Sequence, residues 1–163
     1  MTARRLALAL VLLAPLAAPA RGGAQQEPTG PQPPLPKEKL VIVTKDGKQH
    51  DFQVEMARTP EQQEVGEMFR KEIPPDQGML FDWGTVRESD MWMRNTLVPL
   101  DMLFIGPHGT IRHIAEDTVP YSEAIISSGG PVRATLEVAG GTAKRLGIVV
   151  GDKVLSPAFG TQP

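Results

Sequence analysis

Three consecutive polar residues interrupt the apolar stretch MWMRNTLVPLDMLFI, which begins at Met91. Arg94, Asn95 and Thr96 offer a guanidinium, an amide and a hydroxyl, which together form a fan of hydrogen-bond donors. Such a fan suits a carboxylate or a polyhydroxyl ligand. Trp92 shares a face with Arg94 if the segment is a strand, and its indole offers a flat apolar wall. We therefore predict a binding site here for a small polar molecule, either a sugar or an organic anion.

Asp101 adds a carboxylate to this group and allows three interpretations. Pro99 removes a backbone donor, which favours a kink at a strand edge or a bulge, and such a kink brings Asp101 towards Arg94. In the binding interpretation, Asp101 accepts a hydrogen bond from the ligand or orients Arg94. In the structural interpretation, the two charges form an ion pair that seals the sheet edge. In the enzymatic interpretation, Asp101 is free of Arg94 and acts as the base of a hydrolase.

Other catalytic and metal-binding patterns are weak in this sequence. Met91 and Met93 are soft ligands of the kind that bind Cu(I), but methionine in a strand usually fills the core. His50, His108 and His113 show no metal-ligand spacing. The sequence has no cysteine, no Gly-x-Ser-x-Gly elbow and no His-Glu-x-x-His helix. We therefore expect no cofactor and no metal, and we favour a non-enzymatic protein over an enzyme.

Short strands joined by turns must hold these residues in place. Residues 40–44 and 49–56 flank an Asp-Gly pair that suits a tight hairpin turn. Over residues 132–138 apolar and polar side chains alternate, which predicts one apolar and one polar face. A polar stretch, residues 117–130, reads as a long surface loop. Further short strands are expected at residues 79–81, 90–95, 100–105, 110–116 and 153–156.

Two short helices complete the predicted domain. The start of a helix is indicated by Thr59 as the cap, Pro60 in the first turn and Gln62 as the capping-box partner. This helix is expected to end near Phe69. Residues 142–146 form the second helix. The whole pattern predicts an α+β, β-rich fold, a small closed or partly closed β-barrel of about seven short strands with two short helices.

The amino terminus has the layout of a secretory signal peptide, residues 1–24. Arg4 and Arg5 precede an apolar run that is shorter than the roughly 20 residues needed to span a bilayer, and small residues follow it. Cleavage after Ala20 or after Ala24 fits this layout. Because the segment lacks a cysteine for lipid attachment, we expect a periplasmic or secreted protein without a membrane anchor.

The next segment, residues 25–39 (QQEPTGPQPPLPKEK), is rich in proline and poor in apolar side chains. Such a composition cannot bury enough surface to offset the entropy of ordering, so it predicts a linker. Residues 40–159 then form a single domain of ordinary size.

Charge excludes one class of partner. The full chain has 17 Lys and Arg against 19 Asp and Glu, and the predicted signal peptide contains three of the arginines, so the mature chain has a net charge of −5. A nucleic-acid-binding protein needs clustered basic residues, and we therefore expect no nucleic-acid partner. Without cysteine the exported domain has no disulfide, and its stability must come from a packed core.

Five segments have a distinctive order and spacing: residues 65–70, 78–81, 92–105, 136–138 and 147–154. They resemble the family known as domain of unknown function 192 (DUF192). The resemblance covers about residues 52–156 and is most specific between Trp92 and Ile105. It implies a compact β-rich fold, frequent export and no established activity. It also adds Arg70 to the expected ligand site as a second cation. Arg94 replaces a more usual lysine, which keeps the charge and changes its geometry. The family-motif residues present are Arg70, Trp92, Met93, Arg94, Asn95, Thr96, Pro99 and Asp101.

The carboxy-terminal segment, residues 141–154, also resembles the end of a bacterial PDZ domain. A PDZ domain binds peptide termini by strand addition, so this likeness implies a structural or partner-binding module as a further alternative. The carboxylate-binding loop of that fold has no counterpart in the early part of the sequence, and a local motif does not transfer function without its site.

Overall fold

A curled seven-stranded sheet forms the frame of the protein, and a two-stranded ribbon packs beside it. The computed structural model describes residues 27–163, and the predicted signal peptide lies outside them. The helices are α1 (Pro60–Val65) and α2 (Thr142–Leu146), and within residues 27–163 no helix has the length and apolar character to cross a membrane. A single 3-10 turn follows at Pro157–Phe159. The strands are β1 (Lys37–Val43), β2 (Gln49–Ala57), β3 (Gln77–Arg87), β4 (Asp90–Met91), β5 (Leu100–Ile105), β6 (Ile111–Ala115), β7 (Ile126–Ser127), β8 (Val132–Ala139) and β9 (Lys153–Leu155).

The large sheet has the strand order β6-β5-β8-β3-β2-β1-β9. Its neighbours run antiparallel except β2 and β3, which are parallel. The two edges meet at one end, where Val154 N donates to Gly109 O over 2.7 Å and Ile111 N donates to Asp152 O over 3.0 Å. These bonds close one end of a half-barrel and protect the edges there. The predicted β-rich, partly closed barrel with two short helices is confirmed.

β1 and β2 form the predicted hairpin, and Gly47 at its turn has a positive φ of 83°. β1 starts at Lys37, inside residues 25–39, for which the sequence predicts a linker. Just before it, Leu35 N donates to Glu55 Oε2 of β2 over 2.7 Å. The last part of the proline-rich segment therefore contributes to the sheet.

α1 has the predicted start and an early end. Thr59 Oγ1 accepts from Gln62 N, and the Gln62 side chain accepts from Thr59 N, which completes a capping box. The helix ends at Val65, earlier than the predicted Phe69, because Gly66 leaves the helical conformation with a φ of 49°. A Cβ at Gly66 would lie 2.8 Å from the Phe81 ring, so the glycine allows the turn to pack directly on β3.

The strand predicted over residues 90–95 is wrong beyond Met91. Thr96 N donates to Met93 O over 3.0 Å, and Asn95 has a φ of 55°, so the chain turns there instead of continuing as a strand. β4 is thus only two residues long, and it pairs with β7, a strand within the long predicted loop. Met91 and Met93 are buried among apolar side chains, which confirms their interpretation as core residues.

Both faces of the sheet are covered, and this overturns the one-sided interpretation of β8. Thr135 and Glu137 are as buried as the apolar residues that alternate with them. One face carries the core inside the curl, which includes Leu80, Leu103, Leu136 and Ala143 of α2. The opposite face carries a second core, which includes Met79, Phe81, Met91, Met93, Met102 and Phe104.

Candidate functional site

A cavity of about 430 Å³ lies against this second face of the sheet. Its volume falls within the roughly 300–1,000 Å³ of small-molecule sites. Four parts of the chain enclose it: α1 with the turn that follows, β3, the segment around β4, and Glu137 of β8. The residues that line it are Pro60, Gln63, Glu64, Val65, Gly66, Glu67, Met68, Phe81, Trp83, Arg87, Asp90, Met91, Trp92, Arg94, Thr96 and Glu137.

Both tryptophans of the protein line this cavity, and an arginine guanidinium lies over each indole ring. The Arg87 guanidinium carbon lies 4.2 Å from the centroid of the Trp83 ring, and that of Arg94 lies 5.5 Å from the Trp92 ring. A guanidinium over an indole face is a favourable cation–π arrangement. Trp92 is 42% exposed, whereas the buried Trp83 Nε1–H has no acceptor among residues 27–163. The walls therefore combine apolar rings with cations.

Two carboxyl side chains lie at the floor of the cavity. Glu67 follows α1 and is 3% exposed; Glu137 projects from β8 and is 4% exposed. On its strand, Glu137 sits between Met79 of β3 and Met102 of β5. At its neighbour Glu67, Oε2 is buried and has no hydrogen-bond partner among residues 27–163. A buried polar group without a partner is unusual and calls for a functional or structural explanation.

Arg70 lies behind the floor and is occupied by another carboxylate. Its Nη1 and Nη2 donate to Glu55 Oε1 and Oε2 over 2.7 and 2.9 Å, a bidentate pair. Its Nε lies 2.9 Å from Glu67 Oε2, yet that oxygen makes no hydrogen bond within residues 27–163, because the N–H is not aligned with it. The Arg70 guanidinium thus faces the carboxyl groups of Glu55, Glu67 and Glu137. It neutralises Glu55 best, because both of its aligned hydrogen bonds go to Glu55.

These contacts separate the pKa values of the three glutamates. Burial raises the pKa of Glu67 to about 7; the charge of Glu55 adds to the rise and Arg70 opposes it. Burial also raises the pKa of Glu137 well above its usual range, with Glu67 adding to the effect. Burial acts on Glu55 in the same direction, but the hydrogen bonds from Arg70 and Leu35 N outweigh it and keep its pKa below the ordinary value. Burial therefore favours the protonated form of both carboxyl groups at the floor of the cavity.

The structure brings together only part of the predicted site. Trp92, Arg94 and Thr96 line the cavity, and Arg94 forms an ion pair with Glu27. Arg70 stands behind the floor and does not line the cavity. Asn95 occupies the turn, where its backbone carbonyl accepts from Phe69 N over 2.8 Å and its Nδ2 lies 3.9 Å from Met68 Sδ.

Asp101 lies on the other face of the sheet, away from the cavity. Its Oδ1 accepts from Asp117 N and Gly141 N over 2.9 and 3.0 Å, and its Oδ2 accepts from Ala143 N over 2.7 Å. The carboxylate thus fixes the start of α2 and is fully buried. The predicted ion pair with Arg94 is wrong, and so is the hydrolase hypothesis that needs an accessible Asp101.

Comparison with known proteins identifies the family of the chain. The family model of DUF192, described as Uncharacterized ACR, matches residues 41–156. The chain belongs to the DUF192 family. The suspected resemblance is thereby confirmed, and the match includes the segment that looks like the end of a PDZ domain. In the structure, that segment forms α2 and β9, and β9 pairs with the hairpin strand β1.

Two solved structures are similar to this DUF192 protein. One is a protein from Sinorhizobium meliloti 1021, provisionally described as a transcription regulator; it is 49% identical, with a TM-score of 0.76 over 78% of this chain and 98% of that chain. The other is a protein of unknown function from Novosphingobium aromaticivorans DSM 12444; it is 40% identical, with a TM-score of 0.72 over 75% of this chain and 86% of that chain. The comparison with curated proteins gave no match.

Sequence reasoning missed the residues that distinguish this DUF192 cavity most. Trp83 and Arg87 lie on the extension of β3 beyond the predicted strand, and Glu67 follows the early end of α1. Glu137 alternates with apolar residues and therefore reads as a solvent-exposed strand position. The one usable signal is its place in the middle of an eight-residue strand, since central strands of a sheet covered on both faces bury both sets of side chains.

Proposed function

We propose that this protein binds a small sugar in the cavity between its two tryptophans, without transforming it. The observation that carries the proposal is the pair of buried carboxyl groups that line the floor, Glu137 and Glu67, of which Glu67 Oε2 has no hydrogen-bond partner among the described residues. Sugar hydroxyls donate and accept, so they can hydrogen-bond to carboxyl groups in either protonation state. The C–H faces of a sugar ring pack well on the indole walls.

Charge favours a sugar over an organic anion, the other ligand class that the sequence predicts. Four carboxyl side chains line the cavity, against two arginines. One of those arginines, Arg94, is paired with Glu27, and the nearby Arg70 is paired with Glu55. An anion would therefore compete with Glu27 for Arg94, and each lining carboxyl group that is ionised would repel it, which weakens binding and association. The lining carboxyl groups are those of Glu64, Glu67, Asp90 and Glu137.

A transcription regulator that binds DNA is less consistent with this chain. That description belongs to the Sinorhizobium relative, and DNA binding relies on clustered Lys and Arg. The predicted mature chain has 14 basic against 19 acidic residues. We propose that the protein instead acts in the periplasm or outside the cell, on the basis of the signal-peptide layout of residues 1–24. Amino-terminal sequencing of the protein from fractionated cells tests this, and a protein that retains Met1 in the cytoplasm contradicts it.

Intrinsic fluorescence gives a direct test of binding, because the only two tryptophans both line the cavity. Titration with a panel of mono- and disaccharides, both neutral and amino-substituted, is expected to change the emission with a saturable dependence, and calorimetry should give the same affinity. Replacing Trp92 with Ala should weaken binding at least tenfold. Replacing Val119, which is 68% exposed and does not line the cavity, with Ala is the control and should leave binding unchanged. Absence of binding across the panel, or equal effects of the two variants, would refute the proposal.

A further inference from the structure

We infer that the sugar carries a positively charged amine, and that its ammonium group binds the Glu137 carboxylate at the cavity floor. The inference rests on the proposed function and names the chemical class of the ligand. It depends on the balance of charge around the floor and on the geometry of Arg70.

The floor has more carboxyl groups than the protein's own cations can neutralise. Glu137 and Glu67 are more than nine-tenths buried, and both line the cavity. Arg70, the guanidinium that faces them, makes its two aligned hydrogen bonds to Glu55 instead. A buried carboxylate is costly unless a cation and hydrogen bonds accompany it. The empty protein avoids this cost by keeping the carboxyl protonated, whereas a bound ammonium supplies the missing cation.

The two arginines in the cavity wall do not supply the cation that Glu137 lacks. The Arg87 and Arg94 guanidinium groups lie over the indoles of Trp83 and Trp92, and Arg94 also pairs with Glu27. Asp90 and Glu64 contribute two further carboxyl groups to the cavity wall, which favours entry of a cation.

Ammonium binding also displaces a proton from the floor. In the empty protein, burial and the neighbouring Glu67 favour the protonated form of Glu137, with a pKa well above the ordinary range. A cation beside it favours the carboxylate instead. At neutral pH the amine arrives charged, so the proton released comes from the carboxyl group. The charged groups around Glu137 are Glu64, Glu67 and Arg70 from α1 and its following turn, Glu55 of β2, Lys37 of β1, Arg87 of β3, and Asp90 and Arg94 beside β4.

Calorimetry of the purified protein with three matched sugars tests this inference. Glucose, glucosamine and N-acetylglucosamine differ at one carbon, and only glucosamine is a cation. We expect glucosamine to bind about tenfold or more tightly than the other two at pH 7, the ratio that one charge-assisted hydrogen bond supports. The heat of glucosamine binding should differ between phosphate and Tris buffers, because the released proton is taken up by the buffer.

Two variants separate the charge of Glu137 from its shape. Glu137→Gln keeps the side-chain volume and should reduce the preference for glucosamine over glucose to about twofold or less. Glu116→Gln removes an exposed carboxyl group that does not line the cavity and should preserve the preference. If glucose binds as tightly as glucosamine, the inference is wrong while the proposed function stands. If Glu137→Gln keeps the full preference, the assignment to Glu137 is wrong; if none of the three sugars binds, both proposals are wrong.

Discussion

Glu67 should make the folded protein less stable as the pH rises from 5 to about 7.5. Its pKa is about 7 in the folded protein, against an ordinary value of 4.5. The folded state therefore holds a proton that the unfolded chain releases at lower pH, and proton binding favours folding. This contribution is complete below about pH 4.5 and is lost as the pH rises through the folded pKa of about 7.

The size of the effect follows from the two pKa values. A difference between about 7 and 4.5, at about 1.4 kcal/mol per pH unit, corresponds to a loss of about 3 kcal/mol in the free energy of unfolding. In a domain of this size that loss lowers the melting temperature by about 6–12 °C. Glu137, whose pKa is also raised by burial, extends the decline to higher pH. Glu55 and Asp82 have lowered pKa values and act in the opposite direction, but only in the acid range below this window.

Urea denaturation at pH 5, 6, 7 and 8, followed by tryptophan fluorescence, measures this dependence. Glu67→Gln cannot titrate, so its stability should decline by about 3 kcal/mol less over the same range. Glu116→Gln, which changes an exposed carboxyl group, should reproduce the decline of the original protein. A stability that stays constant or increases from pH 5 to 7.5, or an unchanged decline in Glu67→Gln, would show that the carboxyl is not buried as described.

Three further substitutions test how the fold holds the site. Gly66→Ala places a Cβ 2.8 Å from the Phe81 ring at a φ of 49°, so we expect a loss of about 1–3 kcal/mol in a thermal melt. Asp101→Ala leaves three backbone N–H groups unpaired; it should cost about 3 kcal/mol or more in urea denaturation and leave the affinity of the folded protein for sugar unchanged. Thr59→Ala removes the acceptor to Gln62 N, and it should lower stability by about 1 kcal/mol in the same assay.

Local signals in the sequence predict the elements that depend on a few neighbouring residues. The Asp46-Gly47 turn lies between β1 and β2 as expected, and Thr59 with Gln62 starts α1. These features are fixed by backbone conformations and hydrogen bonds within three or four residues, so the sequence alone contains them. Even the early end of α1 has a local cause, namely the glycine at position 66.

The candidate site depends on which strands become neighbours, and that information is not local. Asp101 and Glu137 occupy strands that pair directly, β5 and β8, yet Asp101 lies opposite Val138 and not opposite Glu137. Adjacent positions on a strand point to opposite faces, so one carboxyl caps α2 and the other reaches the cavity. A shift of one residue in this register would place both carboxyl groups on the same face of the sheet, and no pattern within either strand specifies it.

The polar run that draws attention in the sequence therefore forms a wall of the cavity, while its chemical centre comes from elsewhere. Trp92 and Arg94 lie at the wall because the turn at Asn95 ends the strand before it can enter the sheet. The floor is supplied by Glu137, a strand position that looks like an ordinary surface residue, and by Glu67, which follows the early end of α1. The indoles and guanidinium groups of the wall determine the shape of the ligand that fits. The carboxyl group of Glu137, which Arg70 does not neutralise, determines the charge that the ligand should have. Discrimination among ligands should therefore depend more on Glu137 than on the arginines that the sequence emphasises.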